Sequence, residues 1–185
     1  MFSSLTLPAE TYLYEQCATV DPQQIFTARR AFRQEIAKQL QLEWAALYQQ
    51  NQTPGPFKSD AKDSGKRALK NLALSMLLEA DQKTWAPMAA NQYQIADNMT
   101  DRYAALSALV IHGASAANDC LNDFFSRFAN DALVIDKWFG LQSSRPPVDG
   151  LDSTLEEVKK LREHPAFKLN NPNRVRSVIH AFCAN

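Results

Sequence analysis

The chain has 185 residues, 45% of them hydrophobic, and its 20 basic and 20 acidic side chains cancel to zero formal charge. That length and apolar share suit one ordinary folded core or an elongated stack of helices, and the balanced charge argues against nucleic acid, which usually calls for a basic excess. No run of about 18 apolar residues exists to span a membrane, and Met1-Phe2-Ser3-Ser4 lacks the basic-then-apolar pattern of a signal peptide.

Leu7-Pro8-Ala9-Glu10 predicts a short helix to about Cys17, with Leu13 and Cys17 facing one way. Asp21-Pro22-Gln23-Gln24 is a strong helix start: a capping carboxylate, a proline at the first position and a glutamine able to reach back. The helix it opens can run to about Gln50, with Ile25, Phe32, Ile36, Leu40 and Leu47 as its buried stripe and Arg29, Arg33, Glu35, Lys38 and Glu43 largely off it. Asn51–Lys62 contains Pro54-Gly55-Pro56 and reads as the loop of a helical hairpin. Ser64–Ala80 follows as a helix whose apolar residues, Ala68 to Leu78, cover most of its circumference, as in a helix buried between neighbours. Thr84–Ala96 is the next, with Pro87 expected in its first turn. Asn98-Met99 makes a tight connection, Thr100 is the expected cap of a central helix through His112, and Gly113 ends it.

Ala117–Phe128 places Cys120, Leu121, Phe124, Phe125 and Phe128 on one inner side. Asp131 starts a helix through Ala132–Phe139, Ser143–Asp149 with Pro146-Pro147 is a loop, and Leu151–Arg162 is amphipathic through Leu155, Val158 and Leu161. His164-Pro165 breaks it. A last helix opens at Asn171-Pro172, where Asn171 caps and Pro172 suits the first helical position. Val175, Val178, Ile179 and Phe182 form its apolar stripe. At about 100° per residue Asn173, Arg176 and His180 share a second face, and Arg174 points to the other side of the stripe. No segment alternates at period two long enough to be a strand. The expected fold is therefore all-α: antiparallel helix pairs stacked as a superhelical solenoid of the ARM or HEAT kind, a single domain over residues 1–185.

The chain carries no catalytic constellation of its own. His112, His164 and His180 are far apart and no His-Glu-x-x-His occurs, so no zinc ligand set is expected. There is no Cys-x-x-Cys, nucleophile elbow or phosphate-cradling glycine loop. The Asp119–Asp136 acidic stretch does not match a calcium loop. Cys17, Cys120 and Cys183 are few and far apart and read as small buried thiols in a reducing compartment, not a disulfide frame. Lys159, Lys160, Arg162, Lys168, Arg174 and Arg176 concentrate positive charge near the C-terminal end, where an acidic partner or another domain could sit.

Four stretches add a resemblance: Ser64-Gly65-Lys66-Arg67-Ala68-Leu69-Lys70-Asn71-Leu72, then Ala96-Asp97-Asn98-Met99-Thr100-Asp101-Arg102-Tyr103-Ala104-Ala105-Leu106, then Leu133-Val134-Ile135-Asp136-Lys137-Trp138-Phe139, and finally Asn171-Pro172-Asn173-Arg174-Val175-Arg176-Ser177. In this order and spacing they resemble the C-terminal helical region of bacterial aminopeptidase N, in the M1 family of zinc metallopeptidases. Leu5-Thr6-Leu7-Pro8-Ala9-Glu10 looks like the family's entry into that region.

The resemblance implies a parent hydrolase that removes N-terminal amino acids from peptides with a zinc-bound water. Its zinc would lie in an upstream catalytic domain that is not part of this sequence. This segment would be non-catalytic. It would cap that domain, its partner in the same polypeptide, and help wall the chamber that receives peptide substrates. The family's chamber-lining arginine falls on Arg176, with Asn173 and His180 weaker candidates on the same face. The cap is expected to continue past Asn185 with further helices. The alternative is a free-standing helical-repeat module that binds a protein or peptide.

Overall fold

The computed structural model describes residues 6–147 and 152–184. The expectations for Met1–Ser4, Leu5, the Asp149 end of the loop, Leu151 and Asn185 fall outside those residues. Every regular element among the described residues is helical. The chain divides into two compact units, Met1–Ala105 and Leu106–Asn185.

In the first unit, α1 (Glu10–Glu15) is followed by α2 (Pro22–Gln39) and α3 (Gln41–Gln50). Asp21 caps α2 by accepting the Gln24 amide at 3.0 Å. The single helix expected to Gln50 is two, because Leu40 leaves helical geometry at φ −108°, ψ 28°. The buried side also differs from the predicted stripe. Ala37, Trp44 and Tyr48 face inward, whereas Phe32 and Leu40 are exposed. On α2 the buried residue is the small Ala37, which lets this helix come close to its neighbour. Arg33, expected off the buried face, reaches across to Ser75 Oγ (2.8 Å) and Glu79 Oε2 (3.2 Å). The last carbonyls of α3 are satisfied by the Asn51 and Gln52 side-chain amides, each donating at 2.8 Å to Leu47 and Tyr48.

Helix α4 (Ala61–Ala80) is the centre of this unit and packs against α2, α3 and α5. It starts before the predicted Ser64, since Asp60 caps it through the Asp63 amide at 2.8 Å. Ala73, Leu74, Met76, Leu77 and Leu78 are buried, as the all-round apolar pattern requires. Helix α5 (Gln82–Ile95) follows after Asp81 alone, which caps it through Thr84. Pro87 therefore lies beyond the first turn, deeper than expected, and denies Lys83 its helical donor.

Helix α6 (Met99–Ile111) contains the boundary between the units. Its cap is Asn98, whose Oδ1 accepts the Asp101 amide at 2.9 Å; Thr100, the predicted cap, already lies within the helix. Ala105, Leu106, Ala108, Leu109 and Val110 are buried. At its end Gly113 takes φ +63°, with its amide on Val110 O (3.1 Å) and the Ala114 amide on Leu109 O (2.9 Å). These two bonds are a Schellman closure, which needs a residue tolerant of positive φ.

In the second unit, α7 (Ala117–Phe128), α8 (Ala132–Ser143) and α9 (Asp152–Glu163) precede the C-terminal helix. Helix α8 is the hub: α7, α9 and the C-terminal helix all pack on it. Asp131 caps it by accepting the Leu133 and Val134 amides. Trp138 Nε1 donates to Leu121 O at 2.9 Å, which ties α8 to α7 through a buried indole.

Candidate functional site

The C-terminal helix begins as the sequence predicts and then departs from it. Asn171 Oδ1 accepts the Asn173 amide (3.1 Å) and the Arg174 amide (3.2 Å), with Pro172 in the first turn. The regular α10 covers only Pro172–Val175. Arg176–His180 forms a π-helical turn, and α11 (Ala181–Cys183) resumes after it. A π turn adds a residue to the repeat and changes the phase of everything after it. A rotation of about 100° per residue thus holds from Asn173 to Arg176 but not on to His180. Val178 is fully buried, so the apolar face survives the change.

Arg174 is the anchor of this helix. The helical pattern sets it away from the core face, yet it is only 5% exposed. Its Nε donates to Asp136 Oδ1 on α8 at 2.6 Å, Nη1 donates to Ala166 O, and the guanidinium lies 4.8 Å over the Phe139 ring. Burial is possible because a carboxylate, a carbonyl and an aromatic face together replace water. Gly140, also on α8, faces Ser177: a Cβ built there would sit 3.6 Å from Ser177 O, so the two helices approach closely.

His164 completes the anchor. Its ring lies 4.9 Å from Phe125, 5.3 Å from Trp138 and 5.7 Å from Phe139, and Nδ1 accepts the Ala166 amide at 3.1 Å. Burial, and then the neighbouring Arg174 charge, push its pKa below the ordinary histidine value.

Two residues after Arg174 the helix has turned by more than half a circle, so anchoring Arg174 inward sends Arg176 outward. Arg176 is exposed, as are the two weaker candidates, Asn173 and His180. The helix therefore presents a cationic head on its outer face while its inner face is locked to α8.

A second polar centre lies in the first unit. Lys70 Nζ donates to Asp101 Oδ2 at 2.6 Å, and both side chains are less than a tenth exposed. Asp101 Oδ1 accepts Asn71 at 2.8 Å, and its Oδ2 also accepts Asn98 at 3.2 Å. Gln92 donates to Asn71 Oδ1 (2.8 Å) and to Asp101 O (3.0 Å), and accepts the Tyr48 hydroxyl at 3.0 Å. Desolvation raises the Tyr48 pKa. This network is not among the sites expected from the sequence. Its visible signals there are a lysine on an otherwise apolar circumference and the two aspartates that bracket Asn98.

The four stretches singled out in the sequence thus meet in pairs. Lys70 and Asn71 of the first join Asn98 and Asp101 of the second, and Asp136 and Phe139 of the third join Arg174 of the fourth. Among the described residues no group of three His, Cys, Asp or Glu side chains is placed to hold a metal. The zinc that the resemblance implies finds no fitting donor set among the described residues. No described helix is long and apolar enough to cross a membrane.

Residues 2–185 match the family described as "Domain of unknown function (DUF3458_C) ARM repeats". The chain belongs to this family. The DUF3458_C match agrees with the all-helical architecture and its repeat character. The chain is 35% identical to aminopeptidase N of Haemophilus influenzae over 96% of its length, and 33% identical to that of Escherichia coli over 98%. The aminopeptidase N of Caulobacter vibrioides is 35% identical over 96% of the chain. In each case the chain spans only 20% of the relative. Among solved structures, Legionella pneumophila aminopeptidase A, in complex with aspartic acid, matches with a TM-score of 0.85 at 28% identity. That match covers all of this chain and 22% of the other. The DUF3458_C segment therefore corresponds to a helical part of larger aminopeptidase polypeptides.

Proposed function

We propose that this DUF3458_C segment is a non-catalytic wall of a zinc-dependent, cytoplasmic M1-type aminopeptidase, removing N-terminal amino acids from peptides. The catalytic domain of the same polypeptide is its partner. Residues 1–185 serve as a helical cap over that domain, and the face carrying Arg176, with Asn173 and His180 nearby, borders the chamber that peptides enter. The observation that supports this reading is the division of labour between two arginines in one motif. Arg174 is spent on Asp136, Ala166 and Phe139, whereas Arg176 is held outward on a helix that cannot rotate. A planar guanidinium held in this way suits peptide carbonyls or a carboxylate.

The test uses the full polypeptide that contains this chain. Arg176→Ala should lower kcat/KM for peptides by about tenfold to a hundredfold, the loss expected for one charge-assisted hydrogen bond. Zinc content should be unchanged, and Arg176→Lys should recover only part of the loss. Arg174→Ala is unsuitable as a control, because it would break the anchor. Arg162, exposed near the end of α9, serves instead. Equal kinetics for Arg176→Ala and Arg162→Ala would remove Arg176 from the chamber. A polypeptide with no aminopeptidase activity and no zinc would leave the helical-repeat binding module in its place.

A further inference from the structure

A pocket of about 410 Å³ opens beside the buried Lys70–Asp101 pair, within the first unit. Tyr48, Gln92 and the ion pair form its polar part, and Pro54, Ile95 and Ala96 contribute apolar wall. Its size is that of a small-molecule site, and polar groups converge on it beside a comparable share of apolar wall.

The hydrogen bonds around the pocket leave some groups open to a ligand and close others. Asp101 is well satisfied: it holds Lys70, Asn71 and Asn98 on its carboxylate and Gln92 on its carbonyl. Lys70 is not. An ammonium has three donors, and among the described residues Asp101 is its one acceptor. A lysine this buried, with donors left over beside a cavity, calls for an acceptor oxygen. That oxygen should be neutral, because Asp101 already balances the Lys70 charge and a second anion would be buried without a counter-ion. At the exposed rim lies Asp97, whose carboxylate accepts the neutral Asn98 amide and, among the described residues, no other group. With Lys70 and Asp101 cancelling, the lining carries one net negative charge, and it is at Asp97. Ile95, which is 71% exposed, stands on the same lining.

We infer that this pocket binds a small monocation bearing a primary ammonium next to an amide carbonyl, such as an amino-acid amide or the N-terminus of a short peptide. Lys70 donates to the carbonyl, Asp97 takes the ammonium, and Ile95 with Pro54 covers an aliphatic side chain. The site is built wholly from residues of the first unit, and its existence does not depend on the chamber reading.

The full 185-residue chain is titrated with leucinamide and followed by calorimetry and by chemical shifts of the Asn98 and Gln92 side-chain amides. Saturable binding is expected, with those amides among the shifted signals. N-acetyl-leucinamide, which lacks the ammonium, should bind at least about tenfold more weakly, a loss of about 1.4 kcal/mol. Free leucine should also bind more weakly, because its carboxylate meets the neutralised floor. Asp97→Asn alters an exposed position and should reproduce the tenfold loss with an unchanged melting temperature; Arg162→Ala should change nothing. Lys70→Met is the stricter variant, and Asp97→Asn keeps the test decisive where Lys70→Met does not fold. A tripeptide amide binding more tightly than leucinamide assigns the site to peptide N-termini, and equal binding assigns it to free amides. Absence of saturable binding, equal affinity for the acetylated probe, or undiminished binding to Asp97→Asn would overturn the inference.

Discussion

Arg174 shows how one side chain sets the direction of another. It has exchanged water for Asp136, the Ala166 carbonyl and the Phe139 face, and removing it would strand a carboxylate that is mostly buried. Arg174→Ala should therefore cost about 3–5 kcal/mol of unfolding free energy, the usual result of breaking a buried pair from one side. The double variant Arg174→Ala/Asp136→Ala should lose clearly less than the two single losses added together, because the second truncation removes the stranded charge. Urea denaturation of the four proteins measures this, and simple additivity would show that the pair is not coupled. His164 makes a second prediction at this scale. Its folded pKa is lowered, by burial first and the Arg174 charge second, so below about pH 6.5 the unfolded chain takes a proton that the folded chain refuses. Stability contributed by His164 is complete above that pH and is lost as pH falls toward the lowered folded value. His164→Asn, which can still accept the Ala166 amide, should flatten the stability-versus-pH curve in that window. Parallel curves for the two proteins would count against it.

Among the helices, α4 and α8 carry the packing of their units, and the consequences follow position by position. Leu77 is fully buried, whereas Leu72 keeps partial exposure on the same helix. Leu77→Ala should cost about 2–5 kcal/mol through lost burial and a residual cavity, and Leu72→Ala distinctly less. Thermal or chemical unfolding ranks them, and an inverted order would mean that α4 faces otherwise than described. The start of α6 offers a finer test. Asn98 satisfies the Asp101 amide and also supports the Asp101 carboxylate, so Asn98→Ala should cost about 1–2 kcal/mol, at the upper end for a cap. Thr100→Ala should cost little, since Thr100 is not the cap.

Each of the two units has a polar centre of its own: Lys70–Asp101 belongs to Met1–Ala105, and Asp136–Arg174 to Leu106–Asn185. Neither centre is a metal site. The chain on its own, dialysed and then analysed for metals, should hold no stoichiometric zinc, and it should release no product from an aminoacyl-anilide. One tightly bound zinc per chain, or turnover that persists through purification, would mean that these helices do assemble a ligand set, and the non-catalytic reading would fall. The aminopeptidases it resembles are about five times longer, which is where such ligands would be sought.

Much about this protein could be read from local signals alone. Helix starts at Asp21, Asp131 and Asn171 and the stop at Gly113 depend on neighbours a few residues away, and short-range chemistry decides them. The all-helical class and the family resemblance follow from the same kind of information. What only the tertiary structure decided concerns choices between locally equivalent options. The stripe of Ile25, Phe32 and Ile36 satisfied the helical period on α2, yet packing against α4 buried Ala37 and left Phe32 exposed. Helical spacing put Arg174 and Arg176 of Asn-Pro-Asn-Arg-x-Arg on different faces without saying which is buried, and Asp136, 38 residues away in sequence, took Arg174 and left Arg176 outside. Nothing near Lys70 in α4 pointed to Asp101, which meets it across 31 positions of chain. The π turn after Val175 is of the same kind, since no residue in Arg176–His180 announces it. Partners distant in sequence leave no periodic trace, because periodicity records which face of a helix is apolar and not what stands opposite.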